Sequence, residues 1–191
     1  AQLDPMRQKW ERDGDRWPGE VHSLQNRIGI HTGSMVTGNM GSTHRMNYTM
    51  MGDTVNIAAR LESSAKQYGI YTHISEETYG AVKDSMTVRE LDKVIVMGRS
   101  EPVQTYELIA EKGQEPGIYK EIIPQFHEAL ELYKKQEWDK AQTVFESLEK
   151  LEDMFPGRKT NPSHVYSERC THLKNNPPGE DWDGVWILTS K

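Results

Sequence analysis

The chain has 191 residues, 35% of them hydrophobic, with 29 acidic against 23 basic side chains and a net charge of −6. That length suits one domain with an appendage or two small ones, and the acidic balance argues against nucleic acid as a partner, whose usual footprint is a basic stripe. A single cysteine, Cys170, excludes an intrachain disulfide and fits a reducing, cytosolic-type compartment, while the longest clear apolar run, Val94-Ile95-Val96-Met97, falls far short of the ~20 residues of a membrane helix.

Leu3, Met6 and Trp10 recur at helical spacing and predict a helix within 1–15, broken by Gly14, Pro18 and Gly19. Residues 27–31 (RIGIH) alternate, with Ile28 and Ile30 on one face, and predict a strand. Gly33, Gly38 and Gly41 punctuate the next segment and bracket a short strand at 35–37. Residues 47–51 alternate again, Tyr48 and Met50 on one face, Asn47, Thr49 and Met51 on the other. Gly52-Asp53-Thr54 then opens a helix, with Asp53 or Thr54 as N-cap, and Gly69 stops it after Tyr68.

A buried strand at 71–75 and a short helix at 76–82 follow. Further strands are expected at 88–91, 93–97 and 103–108, with a turn at 98–102 between the last two. A polar linker at 111–117 leads into a helical period. Ile122, Phe126, Leu130 and Tyr133 share one face, and Trp138, Ala141, Val144, Phe145, Leu148 and Leu151 line the next helix. Pro156-Gly157 precedes a third helix near 162–174, Pro177-Pro178 ends it, and 182–188 reads as extended. His164, Cys170 and His172 lie close together but match no zinc spacing, so a solvated helix is expected there.

One helix carries the candidate chemistry. At ~100° per residue, Thr54, Ala58, Leu61, Ala65 and Tyr68 fall in one narrow arc, the packed face. Asn56 and Arg60 are four residues apart and point together, nearly opposite that arc. An isolated pair of this kind is usually just a solvated face. Here a glycine turn, an alternating strand and a Gly-rich hairpin precede it, as expected where backbone must approach a ligand.

The run 27–62, RIGIHTGSMVTGNMGSTHRMNYTMMGDTVNIAARLE, closely resembles the class III adenylyl and guanylyl cyclase catalytic domain. The resemblance is carried by RIGIHTG, GNMGS, YTMMGDTVN and AARLE, continues through GRSEPV and YEL, and covers about residues 1–110. It implies an active site at a head-to-tail dimer interface. One protomer gives two metal-binding aspartates and an adenine-contacting lysine. The other gives a ribose-orienting asparagine and a transition-state arginine, which fall here on Asn56 and Arg60.

The chain departs from the family's pattern in three ways. Thr49 stands where many adenylyl cyclases place an adenine-reading aspartate. It resembles a subclass widespread in bacteria, and its hydroxyl, able to donate and accept, favours ATP over GTP. Met97 stands where the family commonly has a lysine for the triphosphate. Arg99 is the candidate replacement, with Lys93 also near in sequence. The resemblance puts the metal-binding aspartates and the adenine lysine on strands before residue 1. The ligands for Mg²⁺ or Mn²⁺ are therefore expected outside this chain, which begins without an initiator methionine.

Residues 118–136 and 137–155 resemble one tetratricopeptide unit through Ala129, Leu130, Tyr133, Trp138, Ala141 and Phe145; an ordinary helical hairpin is the alternative. A lone unit must lean on the third helix or on the cyclase part, because solenoids need about three repeats. The expected fold is thus α+β: a partial ferredoxin-like cyclase half at 1–112, an all-helical module at 117–176 open to a protein partner, and an extended tail at 177–191. The resemblance extends to bacterial cyclases of this layout, where a sensor and membrane helices often precede the cyclase, so a cytoplasmic side and an upstream anchor are expected. The expected function is conversion of ATP to cyclic AMP and pyrophosphate by a homodimer. The alternative is a non-catalytic interaction protein built on a truncated cyclase half.

Overall fold

The computed structural model describes residues 3–22, 24–95, 102–152, 159–179 and 181–187. Helix α1 (Leu3–Arg12), a 3-10 turn and the short α2 (Gly19–His22) come first, and the Arg7 guanidinium ties α1 to the Leu24 carbonyl at 2.5 Å. Five strands then make one sheet: β1 (Ile28–Ile30), β4 (Thr72–Ser75), β6 (Val103–Glu111), β5 (Met86–Ile95) and β7 (Trp186–Ile187), in that spatial order. β1 runs parallel to β4 and β7 parallel to β5, and the other pairings are antiparallel. Strands β2 (Val36–Ser42) and β3 (Arg45–Met51) form a separate hairpin. Helix α3 (Asp53–Tyr68) links it back to β4, and α4 (Glu76–Val82) starts straight from β4 under a Ser75 N-cap.

Three details differ from the sequence reading. β2 continues past 37 through Gly38 and Gly41, because pairing with β3 satisfies the backbone; Gly41 sits at φ 143, with the Arg45 carbonyl where a Cβ would be. The strand expected at 88–91 and the described part, 93–95, of the one expected at 93–97 are one strand, β5; residues 96 and 97 lie outside the described residues. The break in alternation is a bulge, with a register shift between Glu90 and Asp92. The N-cap of α3 is Gly52, at φ 138, and neither Asp53 nor Thr54 caps it.

Helices α5 (Tyr119–Lys134), α6 (Trp138–Glu152) and α7 (Pro162–Asn175) follow. Phe145 and Tyr166 stack at their centre with Phe126 edge-on to both, and Tyr133, Trp138 and Trp182 extend the cluster to the tail. Of the three residues expected on a solvated helix, His172 is exposed and His164 half-buried, but Cys170 is buried. α7 buries Tyr166, Ser167, Arg169, Cys170 and Leu173, and its polar residues hide the pattern because they find partners inside the molecule.

Two buried ionic clusters fasten these helices to the sheet. Arg89 of β5 donates to Glu107 of β6 at 2.5 Å and to both oxygens of Glu152 of α6 at 2.9 and 3.0 Å; Ser163 of α7 also donates to Glu152. Arg169 of α7 donates to Asp92 of β5 at 2.6 Å, beside a Tyr166 hydroxyl bonded to the Leu91 carbonyl. Each guanidinium lies over aromatic rings, Arg89 over Phe126 and Arg169 over Trp186. The helical unit therefore shares a core with the sheet, as a single hairpin too small to stand alone requires.

Candidate active site

The candidate site is built where α3 crosses β1. A Cβ on Gly29 would overlap the Ala58 carbonyl and the Glu62 backbone, so the helix approaches the strand at a distance only glycine permits. Thr54 donates its hydroxyl to the Ser34 carbonyl at 2.7 Å, pinning the first turn to the connection after β1. Across the same crossing Arg27 pairs with Glu62 at 3.3 Å. These contacts orient the helix so that Ile57, Leu61, Ser64, Ala65 and Tyr68 are buried. The sequence wheel anticipates Leu61, Ala65 and Tyr68 but not Ile57 and Ser64, and its other two members, Thr54 and Ala58, are half-buried.

Asn56 is exposed on the outward shoulder, and Arg60 sits one turn further along, half-buried. The Arg60 Nη1 is fully buried and has no hydrogen-bond partner among the described residues. Asn56 and Arg60 thus come to one helix face together, as their spacing requires.

Thr49 lies on β3 opposite Gly38, exposed, and its hydroxyl makes no hydrogen bond among the described residues. Its hairpin stands clear of the sheet: Met46, Tyr48 and Met50 are 61%, 74% and 52% exposed, and Met35, Val36 and Met51 are exposed beside them. Met46, Tyr48 and Met50 are alternate residues of β3 and so share one face of the hairpin. Met97 and Arg99 lie outside the described residues. Lys93, the other cation considered for phosphate, pairs with Asp183 at 3.0 Å. No group of three or more His, Cys, Asp or Glu side chains that could hold a metal ion occurs among the described residues. His164 instead bonds Glu149 at 2.8 Å.

Sequence reasoning missed the support beneath α3. His73 of β4 is buried under it, its Nδ1 3.0 Å from the Ser64 hydroxyl and 3.1 Å from the Leu61 carbonyl. Burial pulls its pKa from 6.5 down to about 4, against opposing contributions from the Leu61 hydrogen bond and the Asp92 charge. The available signal was a charged or polar residue at an inward strand position, as at His73, Arg89 and Glu107.

Residues 8–110 match the family model described as the Adenylate and Guanylate cyclase catalytic domain, and the chain belongs to that family. It is similar to the terminal-differentiation-specific adenylate cyclase of Dictyostelium discoideum, 32% identical over 152 residues, which are 78% of this chain and 7% of that protein. It is also 41% identical to adenylate cyclase 1 of Rhizobium meliloti over 86 residues, 45% of this chain and 13% of that one. Guanylate cyclase beta of Plasmodium berghei is 36% identical over 87 residues, 46% of this chain and 3% of its own length. Among solved structures, the adenylyl cyclase CyaB from P. aeruginosa aligns with a TM-score of 0.47 at 35% identity, covering 60% of this chain and 55% of that one. The chain spans only a small part of these curated relatives, and both adenylate and guanylate cyclases are among them.

Proposed function

We propose that this chain supplies half of a composite active site that converts ATP to cyclic AMP and pyrophosphate, with Asn56 orienting the ribose and Arg60 stabilising the transition state. The observation that carries this reading is the buried Arg60 Nη1, without a hydrogen-bond partner among the described residues, on the same face of α3 as exposed Asn56. In the reaction the ribose 3′-oxygen attacks the α-phosphorus in line, and pyrophosphate leaves. Negative charge builds on the phosphate oxygens, which a planar guanidinium matches with parallel donors. An amide one turn away fixes the sugar angle, an orientation effect.

Thr49, in the manner of the bacterial subclass it resembles, reads the adenine amino group, and Arg99 meets the triphosphate in place of the lysine absent at Met97. A second protomer docks head-to-tail on the exposed hairpin, where Met46, Tyr48 and Met50 lack cover. Mg²⁺ or Mn²⁺ belongs to the reaction by family, but the described residues do not fit a metal site, so no step is assigned to an ion here. The helical unit, in its tetratricopeptide-like reading, offers a surface to a protein partner. The whole protein's cyclase sits on the cytoplasmic side of an upstream anchor.

The test uses the full-length protein with ATP and GTP in separate and competing assays. Arg60→Ala should lower kcat by about 10²–10³, the typical loss for a charge-stabilising donor, with a smaller effect on KM. Asn56→Ala should behave alike, and ATP should be preferred. Near wild-type kcat in Arg60→Ala removes that residue from the mechanism, and equal turnover of both nucleotides shows that Thr49 reads nothing.

A further inference from the structure

The far end of α3 is clamped by the helical unit. Tyr68, in its last turn, donates its hydroxyl to Asp92 of β5 and accepts from Arg169 Nη2 of α7 at 3.0 Å. Arg169 Nη1 closes the triangle on the same Asp92 oxygen at 2.6 Å. All three side chains are buried. Two further contacts hold the same end. Gly69, at φ 62, lies so close to the Thr160 carbonyl that a Cβ would overlap it. Val165 of α7 packs on Ala65, Tyr68, Ile70 and Leu91.

A buried ionic cluster is a poor way to gain stability, since well-packed apolar residues often serve as well or better. What it adds is direction: three fixed donors and acceptors allow one relative placement of α3, β5 and α7. Arg60 and Tyr68 are eight residues apart, roughly 12 Å along a stiff rod. A shift at the clamp is therefore carried to the face that bears Asn56 and Arg60.

We infer that Arg169 is a positioning residue: through Tyr68 and Asp92 it sets where α3 presents Asn56 and Arg60, and so couples the helical unit to the composite site. The inference rests on the role given above to those two residues. It assigns to the helical unit a part in the geometry of the site in addition to any docking surface.

The experiment uses full-length protein carrying Arg169→Met, Arg169→Lys, Tyr68→Phe, or Tyr68→Phe with Arg169→Met. Amide hydrogen exchange across α3 is read together with kcat and KM per active site. Arg169→Met and Tyr68→Phe should each speed exchange in α3 while leaving α6 unchanged. In Arg169→Met, kcat should fall by about 10- to 100-fold, the scale of a misplaced catalytic group, with KM within about twofold. The double variant should be no worse than Arg169→Met, because both act through one contact, and Arg169→Lys should recover part of the loss. If Arg169→Met does not fold, Tyr68→Phe carries the same test by removing a single hydroxyl. Unchanged α3 exchange, unchanged kcat per site, or simple additivity in the double variant overturns the inference. Wild-type protein that makes no cyclic nucleotide counts against the proposed function instead, and the exchange measurement then decides the coupling of α7 to α3 on its own.

Discussion

His73 should make the fold acid-sensitive in a way that one substitution removes. Its Nδ1 faces the Leu61 carbonyl, an acceptor only, so that nitrogen carries the proton in the neutral ring. Its Nε2 is buried with no partner among the described residues. Protonation therefore adds both a charge and an unsatisfied donor to a dry site beneath α3, which is why burial lowers the pKa from 6.5 to about 4. The unfolded chain binds the proton more tightly than the folded one. Stability from this group is thus full above pH 6.5 and is lost as pH falls toward 4. The shift corresponds to about 3 kcal/mol in total, of which about 2 is already lost at pH 5. Urea unfolding of wild type and His73→Gln, from pH 7 to pH 4, isolates the effect from the titration of other groups. The substitution should destabilise at pH 7, and the gap between the two proteins should shrink by about 3 kcal/mol on acidification. A gap that stays constant across that range would refute the argument.

Arg89→Met should destabilise the protein by about 3–5 kcal/mol in urea titration, because it removes the guanidinium that binds both Glu107 and Glu152 in the core. Gly69→Ala should cost at least about 1 kcal/mol from its left-handed backbone alone, and more from overlap with Thr160, read as a lowered melting temperature. Met50→Asp should weaken self-association of the full-length protein at least about tenfold in sedimentation, while shifting its unfolding free energy by no more than about 0.5 kcal/mol, since the side chain is exposed in the protomer.

The sequence by itself determined the parts of this protein that depend on local rules. Period and punctuation placed α3 between Gly52 and Gly69, set Asn56 and Arg60 on one face, and marked the three C-terminal helices, because backbone conformation and helical spacing are written over a few residues. The motif run from Arg27 to Glu62 carried the family. The hairpin was legible as a short strand at 35–37 and an alternating one at 47–51, yet nothing in that alternation told that both faces of β3 would be exposed, since burial depends on what packs against a strand. Tertiary structure alone decided that 88–91 and 93–95 are one bulged strand, because pairing with β6 bridges the break at Glu90–Asp92. It alone turned α7 from an apparently solvated helix into a partly buried one, by supplying Asp92, Tyr68 and Glu152 as partners to Arg169 and Ser163 across separations of up to 101 residues. A buried ionic or polar contact needs two partners brought together by the whole fold, and no periodicity in either segment records the other.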